Sequence, residues 1–132
     1  MRVMIDTNVL LSALVFKSTR LADLIEHIVE NHTLVLCSFV IDEASRVISR
    51  KSSQYLEAFD SFLLKLSFEM VYSPKQFPPM PALRDENDRP VLVSAISADV
   101  DILISGDKDF SGVDIERPEV LTPSEYFELY VA

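Results

Sequence analysis

The chain has 132 residues, a net charge of −9 and a hydrophobic content of 48%, the size of one domain with enough apolar material for a real core. Only two glycines occur, which excludes the glycine-rich loops that cradle phosphates in nucleotide-binding folds. The acidity is regional. Residues 1–83 carry 8 Lys/Arg against 9 Asp/Glu, whereas residues 84–132 carry 4 against 12. The objection that a nucleic-acid partner needs a basic footprint therefore weighs mainly on the second part.

In chain order, Arg2 to Ile5 reads as a short buried strand, and the apolar stretch Val9 to Phe16 as a helix. Ser18 or Thr19 is a natural N-cap for a second helix, in which Leu21, Leu24, Ile25, Ile28 and Val29 recur at three and four residues. Leu34 to Cys37 is a second strand, and the lone Cys37 at its end reads as a buried reduced thiol. Ser38 is expected to cap a helix with Val40, Ile41, Ala44, Val47 and Ile48 on one face. A further helix follows, burying Leu56, Phe59, Phe62, Leu63 and Leu66. His27 and His32 flank a helix end and read as surface residues.

Phe68 to Tyr72 is a third strand, after which Pro74, Pro78, Pro79 and Pro81 impose an extended loop. A helix from about Pro90 to Ala98, opened by Asn87 or Asp88, leads into a fourth strand at Ile102 to Ile104. Val120 and Leu121 form a short edge strand, and Thr122 with Pro123 opens a last helix carrying Tyr126, Phe127 and Tyr130. Alternating strands and helices predict a single domain spanning residues 1–132. Its fold class is α/β, a three-layer α/β/α sandwich around a parallel sheet of four or five strands. No apolar stretch approaches a membrane span, and with no targeting signal in view the expected location is cytoplasmic.

In an open parallel sheet, ligands bind beyond the carboxyl ends of the strands. Asp6 follows the first strand, Asp107 lies just past the fourth, Glu43 sits early on the helix leaving the second, and Asp88 opens the helix entering the fourth. Singly, each has an ordinary explanation as a cap, a turn residue or a solvated helix position. Jointly they fall at one edge. Converging carboxylates repel one another, and their best common purpose is to hold hard divalent cations. On the helix bearing Glu43, Arg46 and Arg50 share its face, and Lys17, Arg20, Lys51 and Lys108 extend a positive rim suited to phosphates.

Four segments together resemble one family. They are Val3-Met4-Ile5-Asp6-Thr7-Asn8-Val9-Leu10, then Ser38 with Glu43 five residues on, then Arg84-Asp85-Glu86-Asn87-Asp88 leading into Val91-Leu92-Val93-Ser94-Ala95, and finally Ile102-Leu103-Ile104-Ser105-Gly106-Asp107-Lys108-Asp109-Phe110. In order and spacing the chain resembles the PIN-domain nucleases, which include the VapC-like ribonuclease toxins of toxin–antitoxin pairs. That resemblance implies a metal-dependent endoribonuclease. Asp6, Glu43, Asp88 and Asp107 match its acidic catalytic and metal-binding positions, and Asn8 and Ser105 its supporting polar residues. Ser105 stands where the family usually has Thr and keeps the hydroxyl. Asp85 and Asp109 are additional candidate ligands.

Carboxylates suit Mg2+ or Mn2+, and a bound cation neutralises phosphoryl oxygens and activates the attacking water. The implied partners are an RNA substrate, with Arg46, Arg50, Lys17 and Arg20 as its contacts, a cognate antitoxin and a second copy in a homodimer. Two alternatives stand beside this reading. One is a phosphatase of the haloacid-dehalogenase kind with Asp6 as nucleophile, although Asn8 occupies the place of its second aspartate. The other is a degenerate PIN module that only binds partners.

Overall fold

The fold is taken from a computed structural model that describes residues 1–14, 18–51, 53–74, 89–106 and 115–131. Its elements are β1 (Arg2–Ile5), α1 (Thr7–Leu14), α2 (Thr19–Asn31), β2 (Thr33–Cys37), α3 (Ser38–Lys51), α4 (Gln54–Lys65), β3 (Glu69–Val71), α5 (Arg89–Ser97), β4 (Ile102–Ile104), β5 (Glu119–Leu121) and α6 (Pro123–Tyr126), which continues as a π-helical turn, Phe127–Val131. Five parallel strands lie in the order β3-β2-β1-β4-β5. Consecutive residues of β1, β2 and β4 are buried. Successive side chains point to opposite faces, so both faces of the sheet are covered, as a parallel sheet requires.

The core runs through the sheet as Val3, Met4, Ile5, Leu34, Val35, Leu36, Ile102, Leu103 and Ile104, all at most 2% exposed. Cys37 is buried and free, as expected of a structural thiol. Helices add Leu10, Leu24, Ile28, Val40, Ala44, Phe59 and Leu92. Each large apolar side chain removed from water contributes roughly 1.5–3 kcal/mol, which offsets the cost of ordering the chain. Among the described residues, no helix is long and apolar enough to cross a membrane.

Most element ends follow the local signals. Ser18 caps α2 by accepting from the Leu21 N–H, and Thr122 with Glu125 forms a reciprocal capping box at α6. The first helix begins at Thr7, two residues earlier than its apolar run suggests, because Asp6 caps it. Ser38 does not cap α3 as expected; it is the helix's first residue. The strand passes into the helix without a connecting residue, and the Ser38 hydroxyl accepts from the Ser73 N–H instead, at 2.9 Å. Helix α5 ends in a Schellman motif, with Val100 N–H donating to Ala95 O and Asp99 N–H to Ile96 O. Asp99 takes the left-handed conformation, φ 58°, that glycine usually fills there. Residues 75–88 of the proline-rich connection, including Asn87 and Asp88, lie outside the described residues.

Both histidines depart from expectation. His27 and His32 are half-buried because the C-terminal helix packs on them. His27 Nδ1 lies 2.7 Å from the Tyr126 hydroxyl, and the His32 ring meets Tyr130 edge-on. Tyr126 is fully buried, and burial, with Tyr130 beside it, pushes its phenol up to about 12.

The amino edge of the sheet is closed by ion pairs. Arg2 pairs with Glu69 at 2.6 Å, and Arg117 bridges Asp99 and Asp101, while Asp101 also accepts the Arg2 N–H at 2.8 Å. Hydrogen bonding by the Arg2 N–H, with Arg117 adding to it, holds the Asp101 carboxyl below its ordinary range. The Arg2 guanidinium does the same for Glu69.

His32 is lowered chiefly by burial, with the N-terminal ammonium and His27 adding to it. In the unfolded chain this imidazole takes up a proton at higher pH than in the fold, so its contribution is complete above about 6.5 and declines below it. The two depressed carboxyls contribute stability above about pH 4, which is lost as pH falls through their folded values. Both effects have the same sign. The urea midpoint is expected to fall steadily between about pH 7 and pH 3, and a midpoint that stays flat or rises over that range contradicts this assignment.

Candidate active site at the carboxyl edge

Strand order reverses between β1 and β4: the chain builds outward through β2 and β3, then returns to the other side of β1. Connections diverge at such a point and leave a crevice beyond the carboxyl ends. The register pairs Ile5 with Ile104, so Asp6 and Ser105 are the next residues on adjacent strands. The Asp6 N–H extends the ladder to Ile104 O at 3.1 Å, and the Ser105 N–H reaches Leu121 O at 2.9 Å.

The Asp6 side chain is held from two directions. One carboxylate oxygen, Oδ1, accepts the Val9 N–H at 2.9 Å and so caps α1. The other, Oδ2, accepts the Ser105 hydroxyl proton in a short hydrogen bond. Asp6 is 6% exposed and Ser105 2%. Thr7, the next residue, is buried, and its Oγ1 has no hydrogen-bond partner among the described residues. Oxygen donors alone are the set that hard divalent cations favour.

Glu43 is half-buried on α3. It lies three residues after Val40 and one before Ala44, at the margin of that helix's buried stripe. Helix α3 packs against α1, whose first turn Asp6 caps, and against α5. The start of α5 is also at this edge. Its C-terminal turn leads to Asp101, whose N–H bonds Arg2 at the amino edge, so α5 runs antiparallel to β4.

Asn8 is exposed in the first turn of α1. Arg46 and Arg50 are exposed on α3, and Arg46 Nε reaches the Asp42 carbonyl at 3.5 Å. Arg20 is committed to the C-terminal helix: it donates to Ser124 Oγ at 3.0 Å and stacks over the Phe127 ring at 5.0 Å. Asp85, Asp88, Asp107, Asp109, Lys17 and Lys108 lie outside the described residues. Among those described, no three Asp, Glu, His or Cys residues gather into a metal-holding group. A depression of about 290 Å³, lined by His32, Thr33, Phe68 and Glu69 among others, lies at the amino edge, opposite Asp6.

A second feature escaped sequence reasoning. Ser73, just past β3, accepts the Phe39 N–H at 3.2 Å while its own N–H donates to Ser38 Oγ, and Ser94 Oγ of α5 lies 2.8 Å from Ser73 Oγ. Isolated serines carry no local signal. Asp6 as a cap was also missed, since the helix was expected to start at Val9; the available signal was a carboxylate three residues before Val9 at the head of an apolar run.

A five-stranded parallel sheet flanked by helices, with a buried carboxylate where the strand order reverses, defines an α/β scaffold open at its carboxyl edge. The PIN domain family model matches residues 2–109, and the chain belongs to that family. The fold is similar to that of a chain in VapBC2 from Rickettsia felis, solved bound to a DNA fragment from its promoter. The TM-score is 0.69 at 16% identity, over 92% of this chain and 97% of that one. No curated protein matches the chain at a significant level.

Because Asp6 serves as both cap and carboxylate, two substitutions separate these roles. Asparagine retains a capping oxygen and alanine does not, so Asp6→Ala is expected to be about 1 kcal/mol less stable than Asp6→Asn in urea denaturation. Equal stabilities would show that the cap contributes nothing.

Proposed function

We propose that this protein is a divalent-metal-dependent endoribonuclease, acting as the toxin of a toxin–antitoxin pair. The observation that carries this reading is the buried Asp6 carboxylate, held by Ser105 across the β1–β4 boundary, in a chain of the PIN domain family. Asp6, Glu43, Asp88 and Asp107 are the residues proposed to hold Mg2+ or Mn2+, with Asp85 and Asp109 as further candidates.

When bound, such a cation neutralises phosphoryl oxygens and lowers the pKa of an attacking water. The chain's own contribution is orientation. Val9 N–H and Ser105 Oγ fix both oxygens of Asp6, so the carboxylate needs little reorganisation to meet a ligand. Exposed Arg46 and Arg50, on the helix that carries Glu43, suit the phosphates flanking the scissile bond, with Lys17 a further candidate. Arg20 is the weakest member of that set, because Ser124 and Phe127 engage its guanidinium.

The likeness to VapBC2 from Rickettsia felis supports an antitoxin partner; its covering of the site, and a homodimer, are the proposed assembly. The test is incubation of purified protein with single-stranded RNA and Mg2+ or Mn2+, with and without a chelator. Cleavage is expected to require the metal and to fall by on the order of a hundredfold or more in Asp6→Asn. Cleavage that persists in that variant, or in chelator, overturns the mechanism.

A further inference from the structure

Helix α3 reaches the carboxyl edge with an unusual cap. The first turn of a helix leaves backbone N–H groups without intrahelical partners, and a side chain just before the helix ordinarily satisfies one of them. Here that side chain comes from 34 residues away. Ser73 Oγ accepts the Phe39 N–H, and Ser38 Oγ accepts the Ser73 N–H in return. The two bonds form a reciprocal clamp between the start of α3 and the segment that leaves β3.

The clamp extends to a third element. Ser94, 1% exposed within α5, places its Oγ 2.8 Å from Ser73 Oγ and 2.7 Å from the Pro90 carbonyl. A hydroxyl has one proton and a carbonyl can only accept. Ser94 therefore satisfies both contacts by donating to Pro90 O and accepting the Ser73 proton. Ser73 then uses its amide, its hydroxyl proton and a lone pair at once.

We propose that Ser73 is a positioning residue for the acidic site. It fixes the start of α3, which carries Glu43, against the exit of β3 and the middle of α5. An acid carried by a helix can share a cation with Asp6 at the strand end only if that helix keeps a set position on the sheet, and ligand oxygens tolerate displacements of a few tenths of an ångström. Apolar attraction between packed helices is non-directional, whereas hydrogen bonds at a helix end fix its distance and orientation. The inference rests on the metal-site reading above and adds a residue to it.

The experiment is a titration with Mn2+ alone, without RNA, on wild type, Ser73→Ala, Ser73→Thr and Ser94→Ala, with thermal midpoints measured on the same samples. Ser73→Ala is expected to weaken Mn2+ binding about three- to tenfold, below the tenfold-to-hundredfold range of groups that bond a ligand directly. Ser73→Thr, which keeps the hydroxyl, should restore the wild-type constant. Ser94→Ala cuts only the link to α5 and should weaken Mn2+ binding in the same direction even if Ser73→Ala fails to fold.

A merely structural role would lower the midpoint and leave the constant unchanged. Equal Mn2+ binding by wild type, Ser73→Ala and Ser94→Ala, or a Ser73→Thr variant as weak as Ser73→Ala, overturns the positioning role and leaves the metal site standing. Wild-type protein that binds no Mn2+ overturns both.

Discussion

Where a parallel sheet reverses its strand order, the connections on either side leave in opposite directions, and the carboxyl ends between them stay open. In this chain the open place is the β1–β4 boundary, and the hydrogen bond from Ser105 to Asp6 spans it. Each strand brings one polar residue to its end immediately after a run of buried aliphatic residues. A carboxylate there costs free energy unless its oxygens are satisfied. The cap to Val9 and the serine hydroxyl supply two of the bonds, and together they determine where the carboxylate points.

The two edges of the sheet treat charge in opposite ways. At the amino edge Arg2, Glu69, Asp99, Asp101 and Arg117 are ion-paired, and the pairs tie β1, β3 and the ends of β4 and β5 together. Such partly exposed pairs contribute modestly. At the carboxyl edge Asp6 is held by a backbone amide and by Ser105, and Glu43 comes from a separate element, α3.

Strand positions were legible because parallel, doubly covered strands leave short continuous apolar runs. Val3 to Ile5, Leu34 to Cys37 and Ile102 to Ile104 all fell where the structure has them. The places of Asp6 and Ser105 at adjacent strand ends were legible from such runs, and the structure joins the two by a hydrogen bond. Tertiary reach was not legible. Nothing local tells that Ser73 caps α3, that Ser38 faces β3's exit rather than its own helix, or that the C-terminal aromatics cover His27 and His32. Arg20 shows the same limit, since a helix pattern places it on a face without naming Ser124 and Phe127 as its partners.

If the carboxyl edge is the metal site, a paramagnetic cation must report its own position. Adding substoichiometric Mn2+ to isotope-labelled protein and recording amide spectra reads this directly. The expected result is selective loss of the Asp6, Thr7, Ser105 and Gly106 signals, with those of Glu69, Asp101 and Arg117 at the amino edge retained. Loss centred on the amino-edge carboxylates, or no selective loss at all, would contradict the account.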